Sequence, residues 1–579
     1  MIKELLKHAK SSLKYTLITP CLVALEVALE VMIPYVTQAL IDNGINKGDM
    51  KYVGIASVIL LLLAGMGMVL GILSGWSSTK GSTGFAKNLM DDMYANIQNF
   101  SFSNIDKFST SSLITRLTTD VMNVRQSYQM TSRLATRCPI MLVASIIMAF
   151  MISPKIALIY LGVAPVLVIC LILIIKYAFP LFEKVFKSYD KMNKVVRENV
   201  KGVRVVKSFN SQGKEIEKFE DASGDIYKNY SRAERLLALN SPLMQICIYT
   251  CMLLIAWLCS KAMVGGTLGE GALVALISYT MSILMSLMMF SMVFVMITMS
   301  RASAERIVEV LKEEPSIVNP ENPIYEVPNG DIEFKNVGFS YIGDSNKECM
   351  SNINLKINNG EMIGILGGTG SGKTTLISLL PRLYDATSGE VIVGGHNVKE
   401  YDIKSLRDSV SVVLQKNVLF SGSLRDNMKW GNPNVTDEQI AEALEIASAT
   451  DFVSNFKDGY DHYIEQGGAN LSGGQKQRLC IARALIKDPK ILILDDSTSA
   501  VDTATDKKIK QGLRDTKPNT TKLIIAQRIS SVQDADKIIV IDNGKINGIG
   551  THEELMANNT IYQEVYQSQV KGGNNDDNN

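Results

Sequence analysis

Six apolar stretches, near residues 15–41, 52–76, 134–153, 156–179, 243–263 and 272–298, dominate the first half of this 579-residue chain. Each is long enough to cross a hydrocarbon core of about 30 Å as a helix. Burial inside a soluble protein is the competing reading. It fails because runs such as 140–152 and 156–175 carry no polar face for water.

Orientation follows from the basic residues between the stretches. The connections after the second and fourth carry Lys80, Lys87, Arg116, Arg125, Lys184, Lys187, Arg197, Arg204 and Lys207, whereas the other connections are short and carry few. Basic loops stay on the cytoplasmic side, so the N-terminus, both long loops and everything after the sixth span are expected in the cytoplasm of a multi-pass cell-membrane protein. The basic start MIKELLKHAKSSLKY has no small-residue cleavage pattern and is expected to be retained. The long loops have helical patterning, so the membrane helices are expected to continue far beyond the lipid. Lys plus Arg is 59 against 58 for Asp plus Glu, which gives no reason to propose nucleic acid as a partner. The eight cysteines contain no C-x-x-C pair or zinc spacing, and Cys21, Cys138, Cys170, Cys247, Cys251 and Cys259 lie in apolar stretches, as small hydrophobes do.

The segment PSIVNPENPIYEVPNG, residues 315–330, is punctuated by proline, which forbids a continuous helix. It divides a membrane domain, 1–314, from a second domain, 331–570, with 315–330 as linker. In the second domain the strand-like runs EMIGIL, EVIVGG, SVSVVL, KILIL and KLIIA alternate with helical segments. The fold class is therefore an α-helical membrane domain of six transmembrane helices fused to an α/β P-loop NTPase domain. The polar tail KGGNNDDNN, 571–579, is expected to be disordered.

After the apolar strand 362–366 comes GGTGSGKTT, with Gly367, Gly368, Thr369, Gly370, Ser371, Gly372, Lys373, Thr374 and Thr375. It fits G-x-x-x-x-G-K-[ST], in which glycines let backbone N–H groups curl around phosphates, Lys373 reaches the β and γ phosphates and the Thr374 hydroxyl ligates Mg²⁺. A dinucleotide fold has no use for GKT. The buried strand 491–494 delivers Asp495 at its carboxyl end, where open α/β sheets present ligand-binding groups, so Asp495 is assigned to the Mg²⁺ shell.

Between these motifs stands NLSGGQKQR, with Leu471, Ser472, Gly473, Gly474 and Gln475. It matches the signature of ABC transporters, and almost the whole chain resembles a half-size bacterial ABC exporter of the type IV, multidrug kind. The resemblance implies further roles. Tyr341 in VGFSY is similar to the aromatic residue that stacks on adenine. Gln415 in SVVLQKN matches the Q-loop glutamine that touches Mg²⁺ or the attacking water, and Asp502 closing SAVD matches the D-loop. The segments FSNIDKFST and VKGVRVVKSFNSQGKE resemble the regions that hold the coupling helices. In the family two nucleotide domains close head to tail, each ATP lying between one P-loop and the other subunit's Ser472–Gln475 equivalent, so this chain needs a second ABC half-transporter.

Two positions depart from the family pattern. The residue after the Mg²⁺ aspartate is normally a Glu that acts as general base, and here it is Asp496. Asp is shorter by one C–C bond, roughly 1.5 Å, while a base must come within about 2.6–3.2 Å of its proton donor. The H-loop histidine position holds Gln527, which donates a hydrogen bond but cannot relay a proton. Both weaken hydrolysis and spare ATP binding, which resembles the degenerate-site subunit of a heterodimeric exporter. A homodimer with two slow sites is the alternative.

Cargo is less legible. Glu26 and Glu30 share one face of the first span and either attract cationic drugs or simply face hydrated space or pair with a neighbouring helix. Met281, Met285, Met288, Met289, Met292, Met296 and Met299 form a stripe on the sixth span, suited either to apolar ligands or to plain packing. The expected function is ATP-driven export of small lipophilic or cationic compounds, drugs or lipids, outward across the lipid bilayer. A homodimeric lipid or peptide exporter and a non-transporting ATP-gated regulator are the rivals.

Overall fold

The computed structural model describes residues 2–341, 348–496 and 501–573. They form two compact units, Met1–Gln98 with Thr110–Glu313, and Asn99–Ser109 with Glu314–Asn579.

The first unit is helical. Among the described residues six helices are long and apolar enough to cross a membrane: Leu13–Ile45, Met50–Asn99, Thr110–Ile152, Pro154–Ser208, Gln212–Val264 and Glu270–Lys312. Each contains one of the apolar windows, and most run well past it. Pro154–Ser208 has 55 residues, a length of about 80 Å at the rise of an α-helix. No bilayer is that thick, and the excess carries Lys184, Lys187, Arg197 and Arg204, so these helices leave the lipid and continue into the cytoplasm.

Helices in lipid gain little from apolar burial and associate through close packing and hydrogen bonds. Ala149, Ala157, Ala272 and Ala275 are accordingly fully buried. The buried Tyr160 hydroxyl donates to the Leu276 carbonyl at 2.8 Å, and Tyr279 donates to the Val31 carbonyl at 2.8 Å. Nearer the basic ends, ion pairs tie the third helix to the sixth. The Arg306 guanidinium donates to both oxygens of buried Asp120 at 2.5 and 2.7 Å, and Arg116 to Glu309 at 2.7 Å.

The second unit is built on a six-stranded sheet whose strands run, edge to edge, Lys545–Gly550, Lys537–Asp542, Met362–Leu366, Thr521–Ala526, Ile491–Asp495 and Val410–Val413. All neighbours are parallel except the first pair. Continuous apolar runs such as Ile491–Leu494 have at most 1% exposure, as strands covered on both faces require. A four-stranded antiparallel sheet, containing Ile332–Phe339, Met350–Ile357 and Ser388–Val393, shares a core with it. The proline-punctuated stretch 315–330 lies along this unit: Ile317 and Val327 are buried and Ile324 bridges Tyr401. Proline keeps it from being a helix without keeping it off the surface.

The final helix is Thr560–Gly573, so it enters the polar tail, of which 574–579 lie outside the described residues. The short helix Phe102–Phe108 belongs to this second unit although the chain joins it on both sides to membrane helices.

Candidate nucleotide site

Strand register assembles the site. In the parallel sheet Ala526 lies opposite Leu366, Ile525 opposite Asp495 and Leu494 opposite Val413. Four neighbouring strands therefore end together, and the residues that follow them, Gly367, Gln527, Asp496 and Gln415, emerge at one edge, where open α/β sheets place their ligands.

The loop 367–375 turns tightly there. Gly370 and Gly372 have φ of 82° and 102°, a region that suits glycine. A Cβ on Gly367 would lie 2.3 Å from the Ile541 carbonyl oxygen, whereas one on Gly368 meets nothing within 4 Å. Gly367→Ala is therefore expected to weaken ATP binding at least about tenfold, since relieving that overlap costs more than the roughly 1.4 kcal/mol a tenfold change represents. Gly368→Ala should leave the free loop intact, and equilibrium ATP titration of both variants checks the contrast. The Lys373 ammonium is buried and donates to the carbonyls of Gly367 and Gly368, each at 2.7 Å. Burial lowers its pKa below the ordinary lysine value, against the opposing pull of Asp495 and Asp496.

Asp495 is 3% exposed and accepts from the Thr374 hydroxyl at 3.0 Å. Burial raises its pKa and the Asp496 charge adds to this, while the Thr374 bond and Lys373 oppose it. A buried carboxylate beside a hydroxyl is a hard-oxygen set that a divalent cation stabilises. Among the described residues no three His, Cys, Asp or Glu side chains converge as a metal cage. The Asp495 carboxylate and Thr374 hydroxyl suit Mg²⁺, which takes one or two protein oxygens and completes its shell with phosphate and water.

Asp496 is the meeting point of the other predicted residues. Its Oδ2 lies 3.4 Å from Gln415 Nε2 and 3.4 Å from Gln527 Nε2. Both contacts are long for hydrogen bonds. Its backbone N–H donates to the Ile525 carbonyl at 3.0 Å, and its φ is 47°, a left-handed conformation that Asp tolerates better than most residues.

Tyr341 is 56% exposed. Its hydroxyl lies 2.9 Å from Thr375 Oγ1, and its ring packs edge-on against Phe339 at 4.9 Å and Tyr384 at 5.4 Å. Ser472, Gly473, Gly474 and Gln475 open the helix Gly473–Ile486. Ser472 Oγ accepts from the Gln475 N–H at 3.3 Å and Gln475 Oε1 accepts from the Ser472 N–H at 2.9 Å, a capping box. Each of these two side chains bonds to the other residue's backbone N–H. Asp502 likewise caps the helix Thr503–Thr516, accepting from the Thr505 N–H at 2.9 Å and its hydroxyl at 2.7 Å. It has a structural bond whatever else it does.

In the membrane unit the pair Glu26 and Glu30 is not free. Arg137 on the third helix donates one amino group to each, both at 2.5 Å, and Ser74 donates to Glu26 at 3.0 Å. Of the two readings of these carboxylates, pairing with a neighbouring helix is the arrangement present. Arg137 was not singled out from sequence, although a lone arginine in the apolar window 134–153 is a signal that a carboxylate faces it. Tyr384 was also missed, and no local pattern marks it; its partner Asp106 lies within the segment FSNIDKFST but was not named individually.

Comparison with known proteins agrees with this geometry. Residues 16–299 match the family described as the ABC transporter transmembrane region, and residues 350–499 match that described as ABC transporter. The chain is 34% identical over 544 residues to the uncharacterized ABC transporter ATP-binding protein YfiB of Bacillus subtilis (strain 168), with 94% of each chain covered. It is 35% identical over 542 residues to the uncharacterized ABC transporter ATP-binding protein Rv1273c of Mycobacterium tuberculosis (strain ATCC 25618 / H37Rv), with 93% of each covered. Its fold is similar to that of a bacterial Atm1-family ABC exporter with ATP bound, at a TM-score of 0.80 and 22% identity over 96% of this chain and 98% of that one. With six spans, a P-loop sheet and relatives aligned over nearly its full length, the chain belongs to the ABC transporter family, as a multi-pass membrane protein whose cytoplasmic ATPase domain is coupled to transport.

Proposed function

We propose that this chain is one half of a heterodimeric exporter, holding ATP at a slow site of its own and lending Ser472–Gln475 to the faster site of a different subunit. The observation that carries the reading is Asp496: a short carboxylate between two glutamine amides, beside a P-loop in which Lys373, Thr374 and Asp495 are all in place. Thr374, Asp495 and Gln415 would hold Mg²⁺, which when bound neutralises charge on the β and γ phosphates. Tyr341 would stack on the adenine. Neither Gln415 nor Gln527 is a base at neutral pH, so among the described residues Asp496, one methylene short, would be the proton acceptor at the γ-phosphate end. ATP binding would drive closure, with hydrolysis mainly at the other site.

A cavity of about 600 Å³ in the membrane unit supports a lipophilic cargo. Its lining includes Met141, Met244, Met281, Met285, Met288 and Met289, the Glu30–Arg137 ion pair, and the polar side chains of Asn240, Ser241, Gln245, Ser282 and Ser286. Flexible thioethers adapt to varied apolar shapes. Met292 is exposed and outside this lining, and the side chain of Met299 lies outside the described residues. The lining carries one carboxylate, Glu30, and one guanidinium, Arg137, so a charged head on the cargo would meet both signs.

The test is reconstitution. Vesicles holding this chain and the subunit that copurifies with it should accumulate a lipophilic cationic dye with ATP and not with a non-hydrolysable analogue. Full-rate uptake by this chain alone would sink the heterodimer, and no uptake by the pair would favour a non-transporting regulator.

A further inference from the structure

The aromatic ring at the nucleotide site is held from an unexpected direction. Tyr341 is more exposed than buried and has three anchors: Phe339, Thr375 and Tyr384. Phe339 belongs to the same strand end and Thr375 to the phosphate loop. Tyr384 is different, because its hydroxyl donates to Asp106 Oδ2 at 2.6 Å and its ring packs edge-on against Phe102 at 5.9 Å. Both residues belong to the short helix Phe102–Phe108. Among the described residues, Tyr384 is the aromatic ring that packs on both Tyr341 and this helix.

The helix itself is firmly seated. Buried Asn104 donates to the Glu314 carbonyl at 3.1 Å and accepts from the Ser316 N–H at 3.2 Å, and the hydroxyls of Ser101 and Ser103 lie 2.5 and 2.7 Å from that of Ser316. A fixed helix thus presents a carboxylate that fixes the Tyr384 hydroxyl. The Tyr384 ring in turn sets the angle at which the Tyr341 ring stands.

We infer that Tyr384 is a positioning residue for ATP: through its hydrogen bond to Asp106 it orients Tyr341 for the base, so that the seating of the helix Phe102–Phe108 and the affinity for ATP depend on each other. The inference rests on the reading of Tyr341 as the adenine-stacking residue. Coupling of this kind is reciprocal: whatever factor the seated helix contributes to ATP binding, ATP returns to the seating of the helix.

A ligand without a base separates positioning from general loss of fold. Magnesium-loaded ATP and inorganic tripolyphosphate are titrated into the full-length protein and its variants. Tyr384→Phe keeps the ring and loses only the hydroxyl; it and Asp106→Ala should each weaken ATP about threefold to tenfold, the range of an ordinary intramolecular hydrogen bond acting on the base through the ring, and leave tripolyphosphate unchanged. The double variant should be no worse than either single one. Hydrogen exchange at 102–108 should slow on adding ATP in the parent protein and not in Tyr384→Phe. Equal loss of both ligands, or no loss of ATP, overturns the inference. Tyr341→Ala separates the two levels: if it fails to weaken ATP selectively, the adenine role of Tyr341 falls and the inference with it. If it does and Tyr384→Phe does not, the inference alone falls.

Discussion

Asp496→Glu combined with Gln527→His is expected to raise ATP turnover of the purified protein about a hundredfold, the lower end of what a positioned general base contributes. ATP affinity should hardly move. Asp496 already points its Oδ2 into the cluster, 3.4 Å from each glutamine amide, so direction is not the defect. Reach is, and one more methylene supplies roughly 1.5 Å of it. The histidine adds a group that donates to the γ-phosphate and also titrates near neutrality. Glu must adopt the left-handed backbone, φ 47°, that Asp accepts more readily, which costs stability of at most about 1 kcal/mol. That is small against the gain in rate. Each single change should give a smaller rise, because a base without its histidine partner, or the reverse, completes only part of the site. If the double variant turns over no faster than the parent while still binding ATP, some other feature limits the site and the division into a slow and a fast half loses its basis.

How much of this was legible in the sequence depends on whether the signal is local. The strand, glycine turn and Lys373 of the phosphate loop are contiguous in the chain, and so is the strand that delivers Asp495, so their chemistry can be read without neighbours. The six spans are equally local, since an apolar window needs only its own composition. What the sequence did not disclose is pairing across distance. Nothing in SVSVVL says that Val410–Val413 takes the edge place beside Ile491–Asp495, yet that register is what brings Gln415 to Asp496. Nothing in SNIDKF says that Asp106 meets Tyr384 across 278 residues. The left-handed backbone at Asp496 was also invisible, because a side-chain motif is silent about φ. It supplies a second physical reason for aspartate at that position, beside the loss of reach.

Arg137→Ala is expected to lower the stability of the membrane unit strongly. The guanidinium bridges two carboxylates on one face of the first helix, each at 2.5 Å, and so joins the third helix to the first, with Ser74 of the second bound to Glu26. Removing it leaves Glu26 and Glu30 facing each other at membrane depth without a counter-charge. Breaking a buried pair in this way costs about 3–5 kcal/mol; Glu30 is 41% exposed and keeps the effect toward the lower end. Arg137→Lys should fall between, because a single ammonium cannot form the two-pronged contact. The loss must come from stranded charge rather than from missing packing, and Arg137→Met with Glu26→Gln and Glu30→Gln distinguishes these. An apolar and amide set of similar size should recover most of the stability, as replacing a whole buried ionic cluster usually does. Thermal unfolding of the detergent-solubilised proteins measures all three variants. An Arg137→Ala protein as stable as its parent would mean that water reaches both carboxylates. The ion pair would then be a feature of the cavity wall and not a structural clamp.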